Sequence, residues 1–206
     1  MMDLEAVFQP GWDNSDSLSG SGSSTKNTNR ITRQLGMVRS LCRPVGLRRP
    51  MRINDVGCGD LMWAQKVFYR SEYHGFDVCT WPDWPALRES GWDLQRADAV
   101  EECLPDADLT IVRDVMIHLP NEMGVKLIKN VETSSRWLLA TTYVSAHRNR
   151  PFTNEDRNAR IKRPTRQYAR LDLRRPPFNL GDPLFLIPEY LPGKYMGLWD
   201  LHPQKR

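Results

Sequence analysis

Nowhere in its 206 residues does the sequence run to eighteen consecutive apolar positions, so no stretch reads as a membrane-spanning helix and no membrane partner is expected. The first residues, Met1-Met2-Asp3-Leu4-Glu5, are acidic where an export signal would carry positive charge ahead of an apolar run, and the expected setting is cytoplasmic. Cysteine is scarce. Cys42, Cys58, Cys79 and Cys103 are widely spread with no Cys-x-x-Cys pair, which argues against a zinc knuckle or a disulfide framework and for reduced, mostly packed thiols. No spacing among the four histidines and the carboxylates suggests a metal site. Solenoid repeats and coiled-coil heptads are also missing.

What is present suits one domain: 40% of residues are hydrophobic, ample for a single core at this length. Residues 1–29 are expected to form a flexible front segment, because 9–29 are rich in Ser, Gly, Asn and Asp and lack an apolar period. The domain proper is expected over 30–206. Ile31, Leu35, Val38 and Leu41 recur at three- and four-residue steps and predict one face of a helix over 30–42. Strand patterns follow at 51–56, 73–78, 92–96, 108–113 and 136–143, interleaved with helical or turn patterns at 61–69, 82–90 and 121–131. The runs 184–187 and 195–201, around Pro192-Gly193, read as a terminal hairpin. Such alternation predicts an α/β fold with a mostly parallel sheet and helices on both faces.

The chemistry-bearing motif is Asn54-Asp55-Val56-Gly57-Cys58-Gly59-Asp60, placed where a strand ends and a helix begins. Glycine allows a tight turn and close approach to a ligand, and the following helix offers unpaired N–H groups. Asp77 closes the next predicted strand about twenty residues on, the spacing at which a carboxylate reaches ribose hydroxyls. A Gly-x-Gly turn alone also serves NAD, another nucleotide or a plain corner. The third glycine of a dinucleotide fingerprint is missing, for Asp60-Leu61-Met62 stands there, and hydride transfer is disfavoured.

Together with Gly75-Phe76-Asp77-Val78 and the run Asp108-Leu109-Thr110-Ile111-Val112-Arg113-Asp114-Val115-Met116-Ile117-His118-Leu119-Pro120, this motif resembles those of class I S-adenosylmethionine-dependent methyltransferases. Residues 19–25, 138–143 and 176–187 extend the resemblance, to a small subgroup found in bacteria and large viruses, over nearly the whole chain. The resemblance implies a Rossmann-like sheet of seven strands with the last antiparallel, and S-adenosyl-L-methionine as cofactor. It implies that Asp55, Gly57 and Gly59 lie beside the methionine part of the cofactor, that Asp77 binds its ribose and that Asp98 accepts from the adenine amino group. Arg113 and Thr25 join the expected cofactor set; the Gly20–Thr25 loop either folds over the cofactor carboxylate through backbone N–H groups and hydroxyls or is a flexible tail. Where Leu61 stands the family often has a further glycine, and this departure leaves the turn geometry open.

Methyl transfer is an in-line displacement, so the protein must align the acceptor and exclude water, and a proton acceptor helps when the nucleophile is a hydroxyl. His118 is the candidate, since an imidazole titrates near ~6.5. Asp114, four residues earlier, is placed to orient the imidazole or the acceptor; packing roles for both are the alternative. Ten arginines and lysines fall in a basic insertion at about 145–175, from Arg148 to Arg175, against three acids. Guanidinium forks grip phosphate or carboxylate, which points to an anionic acceptor, while a solvated surface loop is the alternative. Pro176-Pro177-Phe178-Asn179 follows that insertion instead of a fourth strand, and so is not the signature of amino-methylating DNA enzymes. Trp81, Trp84 and Trp92 line an acceptor pocket or simply pack. The subgroup's carbohydrate-modifying associations make O-methylation of a sugar or other small acceptor the leading expectation. A nucleic-acid methyltransferase acting on DNA, RNA or a cap, or a non-catalytic binding protein of the same fold, are the rivals.

Overall fold

The computed structural model describes residues 25–43 (backbone alone for 25–31), 48–144, 149, 169–189 and 191–202. The front segment up to residue 24 lies outside the described residues, as do His147 and the basic insertion apart from Asn149 and 169–175. Among the described residues, four helices, α1 (Thr25–Cys42), α2 (Ala64–Phe68), α3 (Trp84–Glu89) and α4 (Asn121–Ser134), alternate with seven strands. The strands are β1 (Arg52–Val56), β2 (Glu72–Asp77), β3 (Asp93–Arg96), β4 (Ala107–Val112), β5 (Ser135–Tyr143), β6 (Phe185–Pro188) and β7 (Lys194–Asp200), and a 3-10 turn, Met116–His118, follows β4.

The sheet order is β3-β2-β1-β4-β5-β7-β6. Strands β1 to β5 run parallel, and β7 is antiparallel to both β5 and β6, as the expected topology requires. From β1 the chain builds outward to β3 and then crosses to the far side of β1 to lay down β4. That reversal opens a crevice beyond the carboxyl ends of β1 and β4, where doubly wound sheets bind ligands.

Apolar side chains alternate across the strands into two cores. One packs Ile53, Leu109, Ile111 and Leu139 against Leu35 and Val38 of α1, Phe68 of α2 and Trp84 of α3. The other packs Val56, Val112, Leu138 and Ala140 against Leu127, Ile128 and Val131 of α4 and against Leu171 and Leu173. Every residue of β4 is buried, as befits a central strand covered on both faces.

Two local expectations change. Helix α1 begins five residues before residue 30, and its buried stripe is Leu35, Val38 and Cys42, with Leu41 60% exposed. At roughly 100° per residue, seven steps bring Cys42 back over Leu35 whereas six leave Leu41 well round the helix. The helix expected over 61–69 occupies only Ala64–Phe68, because the residues before it are used in turns.

Candidate active site

The glycine turn leaves β1 through positive φ at Gly57 (72°), Gly59 (60°) and Leu61 (57°). The N–H groups of Gly57 and Cys58 donate to the Phe76 carbonyl at 2.7 and 3.2 Å, hooking the turn onto the end of β2. A Cβ on Gly57 would stand 2.3 Å from Cγ2 of Val115, so this glycine is dictated by the loop after β4 as well as by its own dihedral. Leu61 keeps the left-handed conformation that the family often gives to glycine. Its strain of about 1–2 kcal/mol is offset by complete burial, worth roughly 2 kcal/mol for a leucine. Gly57→Ala is expected to lower thermal stability by about 2–4 kcal/mol through clash and strain, read as a fall in Tm, and adding Val115→Ala should restore part of it.

Asp55 points from β1 into the sheet's carboxyl end and is 1% exposed. The Tyr73 hydroxyl donates to its Oδ2 at 2.6 Å. Tyr73 reaches it because the intervening same-face residue of β2 is Gly75, where a Cβ would lie 3.1 Å from the tyrosine ring and 2.9 Å from Cys58 Sγ. Burial pushes the Asp55 carboxyl up to about 7, against the Tyr73 hydroxyl and the Arg113 charge, which favour the ion.

Asp77 ends β2 and ties two turns together. Its Oδ2 accepts from Gly59 N–H at 3.0 Å and from the Trp81 indole at 3.2 Å, and its Oδ1 accepts from Cys79 N–H at 3.0 Å. Burial raises this carboxyl as well, while those donors favour its ion. Trp84 donates its indole N–H to the Gly59 carbonyl at 2.8 Å, and Trp92 packs edge-on against Tyr73 at 5.1 Å. These tryptophans therefore brace the turn and the core. Asp98 lies two residues beyond β3 on the same rim; its Oδ1 accepts from Val100 N–H at 3.0 Å, and Ala97 N–H joins the rim to Asp77 O at 2.9 Å.

Beyond β4 the chain enters a charged cluster. Asp114 has φ 55°, a strained value for a residue with a side chain. Thr141 of β5 holds it there: its Oγ1 accepts from Asp114 N–H at 2.9 Å and donates to Asp114 Oδ1 at 3.1 Å. Lys194, opening β7, donates to Asp114 Oδ2 at 2.7 Å and meets Glu189 Oε2 at 2.5 Å. Arg113 donates from Nε to Glu189 Oε1 at 2.9 Å, lies over the Trp63 ring at 5.9 Å, and has a buried Nη2 without a hydrogen-bond partner among the described residues. Burial resists the ionisation of Asp114, but Lys194, Arg113 and the nearby His118 outweigh it and hold the carboxyl below the usual carboxylate range.

His118 closes the 3-10 turn, partly buried, its N–H donating to Val115 O at 2.9 Å. Ala169 N–H donates to Ile117 O at 2.9 Å and Tyr143 N–H to Leu171 O at 2.7 Å, so the segment 169–173 seals the space between the 3-10 turn and β5. There Arg170 is exposed above the Tyr143 ring at 5.9 Å, whereas Arg174 is tied to the buried Asp172 at 2.7 Å.

The structure thus gathers Asp55, Gly57, Gly59, Asp77, Asp98, Arg113, Asp114 and His118 on one rim of the sheet. Thr25 is the first residue of α1, and its side chain and the loop before it lie outside the described residues. Tyr73, Thr141, Glu189 and Lys194 are not singled out by the sequence; Thr141 alone stands as a polar residue within a largely apolar strand. The remaining described histidines serve elsewhere: His74 Nδ1 meets Asp93 at 2.7 Å, and His202 Nε2 meets the Glu132 carbonyl at 2.9 Å. Among the described residues, no three His, Cys, Asp or Glu side chains are placed to hold a metal ion, and no helix is long and apolar enough to cross a membrane.

No family model and no curated protein matches the sequence. Solved structures do. Magnesium protoporphyrin IX methyltransferase from Synechocystis PCC 6803, crystallised with bound S-adenosylhomocysteine, is 14% identical, with 96% of this chain and 91% of that chain covered at a TM-score of 0.58. The 1,6-didemethyltoxoflavin-N1-methyltransferase of Burkholderia thailandensis is 13% identical over 85% of this chain and 76% of its own, at 0.57. Mitomycin 7-O-methyltransferase is 13% identical over 85% of this chain and 54% of its own, at 0.53. The chain has the fold of these S-adenosylmethionine-dependent methyltransferases.

Proposed function

We propose that the protein is an S-adenosylmethionine-dependent methyltransferase that methylates a hydroxyl of a sugar or other small, anionic acceptor. The observation that carries this reading is the meeting, on one rim, of the acid and glycine turn with Asp77 on one side and the Asp114 and His118 group on the other. The residues suit the cofactor: the buried Asp55 is an anion-forming group for a cationic ligand, and the turn carries two left-handed glycines. When bound, the cofactor supplies an electrophilic methyl group on a sulfonium.

The chain's own residues do the rest. Asp55, Gly57 and Gly59 receive the methionine end, with Arg113 beside them; Asp77 takes the ribose; Asp98 takes the adenine edge. At Asp77 a ribose hydroxyl competes with the Trp81 indole, the longest of its side-chain and turn contacts. His118 accepts the proton of the acceptor hydroxyl at an imidazole nitrogen, and Asp114 steadies the imidazolium. Arg170, exposed next to that turn, offers a fork to a carboxylate or phosphate of the acceptor. Small-molecule acceptors are the chemistry of the toxoflavin and mitomycin enzymes with the same fold, and the arginines add the anionic preference.

Calorimetry should detect one molecule of S-adenosylhomocysteine per chain. Asp77→Asn is expected to weaken that binding about tenfold, as loss of charge-assisted hydrogen bonds does, with melting of the free variant checking that the turn survives. Incubation with isotopically labelled donor and nucleotide sugars, glycans, DNA and RNA, followed by mass spectrometry, should place label on a sugar hydroxyl. Label on nucleic acid alone, or none anywhere, overturns the proposed acceptor.

A further inference from the structure

On the reading of His118 as proton acceptor, we infer that Lys194 and Glu189 of the β6–β7 hairpin are positioning residues that hold Asp114 in place and, through their own opposite charges, bias the proton affinity of His118 in opposite directions. The geometry is a closed chain of alternating charge. Asp114 Oδ2 meets Lys194 Nζ at 2.7 Å, Lys194 Nζ meets Glu189 Oε2 at 2.5 Å, Glu189 Oε1 meets Arg113 Nε at 2.9 Å, and Arg113 Nη2 returns to Asp114 Oδ2 at 4.0 Å. Side-chain exposures of 5% for Lys194, 0% for Glu189 and 4% for Arg113 bury three of the four members and the two links between them; Asp114, at 27%, is the partly exposed member. It is also the member that interacts electrostatically with His118.

Two cations and two anions cancel at a distance, so His118 feels chiefly its nearest member. Removing one member unbalances the ring, and in a poorly solvated site a unit charge a few residues away moves a titration appreciably. Among the described residues, Asp114 is the charged group in direct electrostatic contact with His118; Arg113, Lys194 and Glu189 reach it through the ring, Asp55 of β1 acts on Arg113, and Arg170 lies in the segment whose Ala169 N–H bonds Ile117 O. A salt bridge that only held the hairpin to the sheet would alter stability without this electrical signature.

With four histidines in the chain, spectra of protein carrying isotopically labelled histidine can be assigned, using His118→Asn to mark the signal of interest. Lys194→Met deletes a cation and should raise the His118 midpoint by about half a pH unit or more; Glu189→Gln deletes an anion and should lower it by a similar amount. Opposite shifts from two variants that break the same ring are the expected result. Unmoved midpoints, or shifts of one sign, overturn the inference. If Lys194→Met does not fold, Glu189→Gln decides alone, since it keeps the size and an accepting oxygen: a fall supports the coupling and an unchanged midpoint overturns it. The spectra need no methyl transfer. A wild type that transfers methyl groups but shows unshifted midpoints in both variants loses this inference alone, whereas retained turnover in His118→Ala removes the underlying reading.

Discussion

Asp55→Asn is expected to melt higher than the wild type above neutral pH and yet bind S-adenosylhomocysteine at least tenfold more weakly. Both effects come from one buried carboxyl. Burial lifts Asp55 to about 7 in the folded chain, whereas unfolding returns it to the ordinary carboxylate range near ~4. Between those values the folded protein holds a proton that the unfolded chain has released, so stability falls as pH rises from about 4 to about 7 and then levels off. An amide cannot ionise. The gain from Asp55→Asn should be absent near pH 4, grow through that window and reach roughly 2–4 kcal/mol at pH 8, or on the order of 5 °C or more in Tm. On the proposed reading the ligand's ammonium faces an ionised Asp55, so wild-type affinity should climb toward pH 7 and then flatten, while the variant's should be weak and flat. A variant that melts below wild type at pH 8, or binds equally well, removes Asp55 from the site.

Local signals carried the fold far. The central strands β4 and β5 are apolar or β-branched runs, β3 carries only Leu94 as a buried residue, and a burial alternating between two cores is written into pairs such as Ile111 and Val112. What misled was local too. The stretch after residue 60 has helical composition, but three successive left-handed or turning residues, ending at Leu61, postpone α2 to Ala64. Nothing in the residue type announces this, since leucine is there for its burial and takes its left-handed φ in a turn shared with Gly57 and Gly59.

The site divides along the same line. Asp55, Gly57, Gly59 and Asp77 were legible because a turn and the next strand bring them together within about twenty residues. The charged ring was not, because Lys194 lies 80 residues from Asp114 and Glu189 lies 76 from Arg113, joined only through the strand order that sets β7 beside β5. Sequence put Arg113 with the cofactor and Asp114 with catalysis. The structure makes them neighbours in one network, so the two halves of the site share electrostatics.

On the proposed function, that sharing decides which group takes a proton from the acceptor. Asp114 is partly exposed and close to His118, but both its oxygens are bonded, to Thr141 and Lys194, and its carboxyl is held below the usual range despite burial. An acid held below the usual range is a poor base near neutrality, whereas imidazole is the side-chain type suited to taking a proton there. His118→Ala should therefore leave S-adenosylhomocysteine affinity within a factor of about two while lowering kcat by roughly 100- to 10,000-fold, the range for loss of a general base. With wild type the rate should rise with pH and level off once the imidazole is neutral; in His118→Ala that limb should vanish. A variant that retains full turnover and the same pH limb would mean that alignment of acceptor and methyl group alone drives the transfer, with His118 no more than the end of a turn.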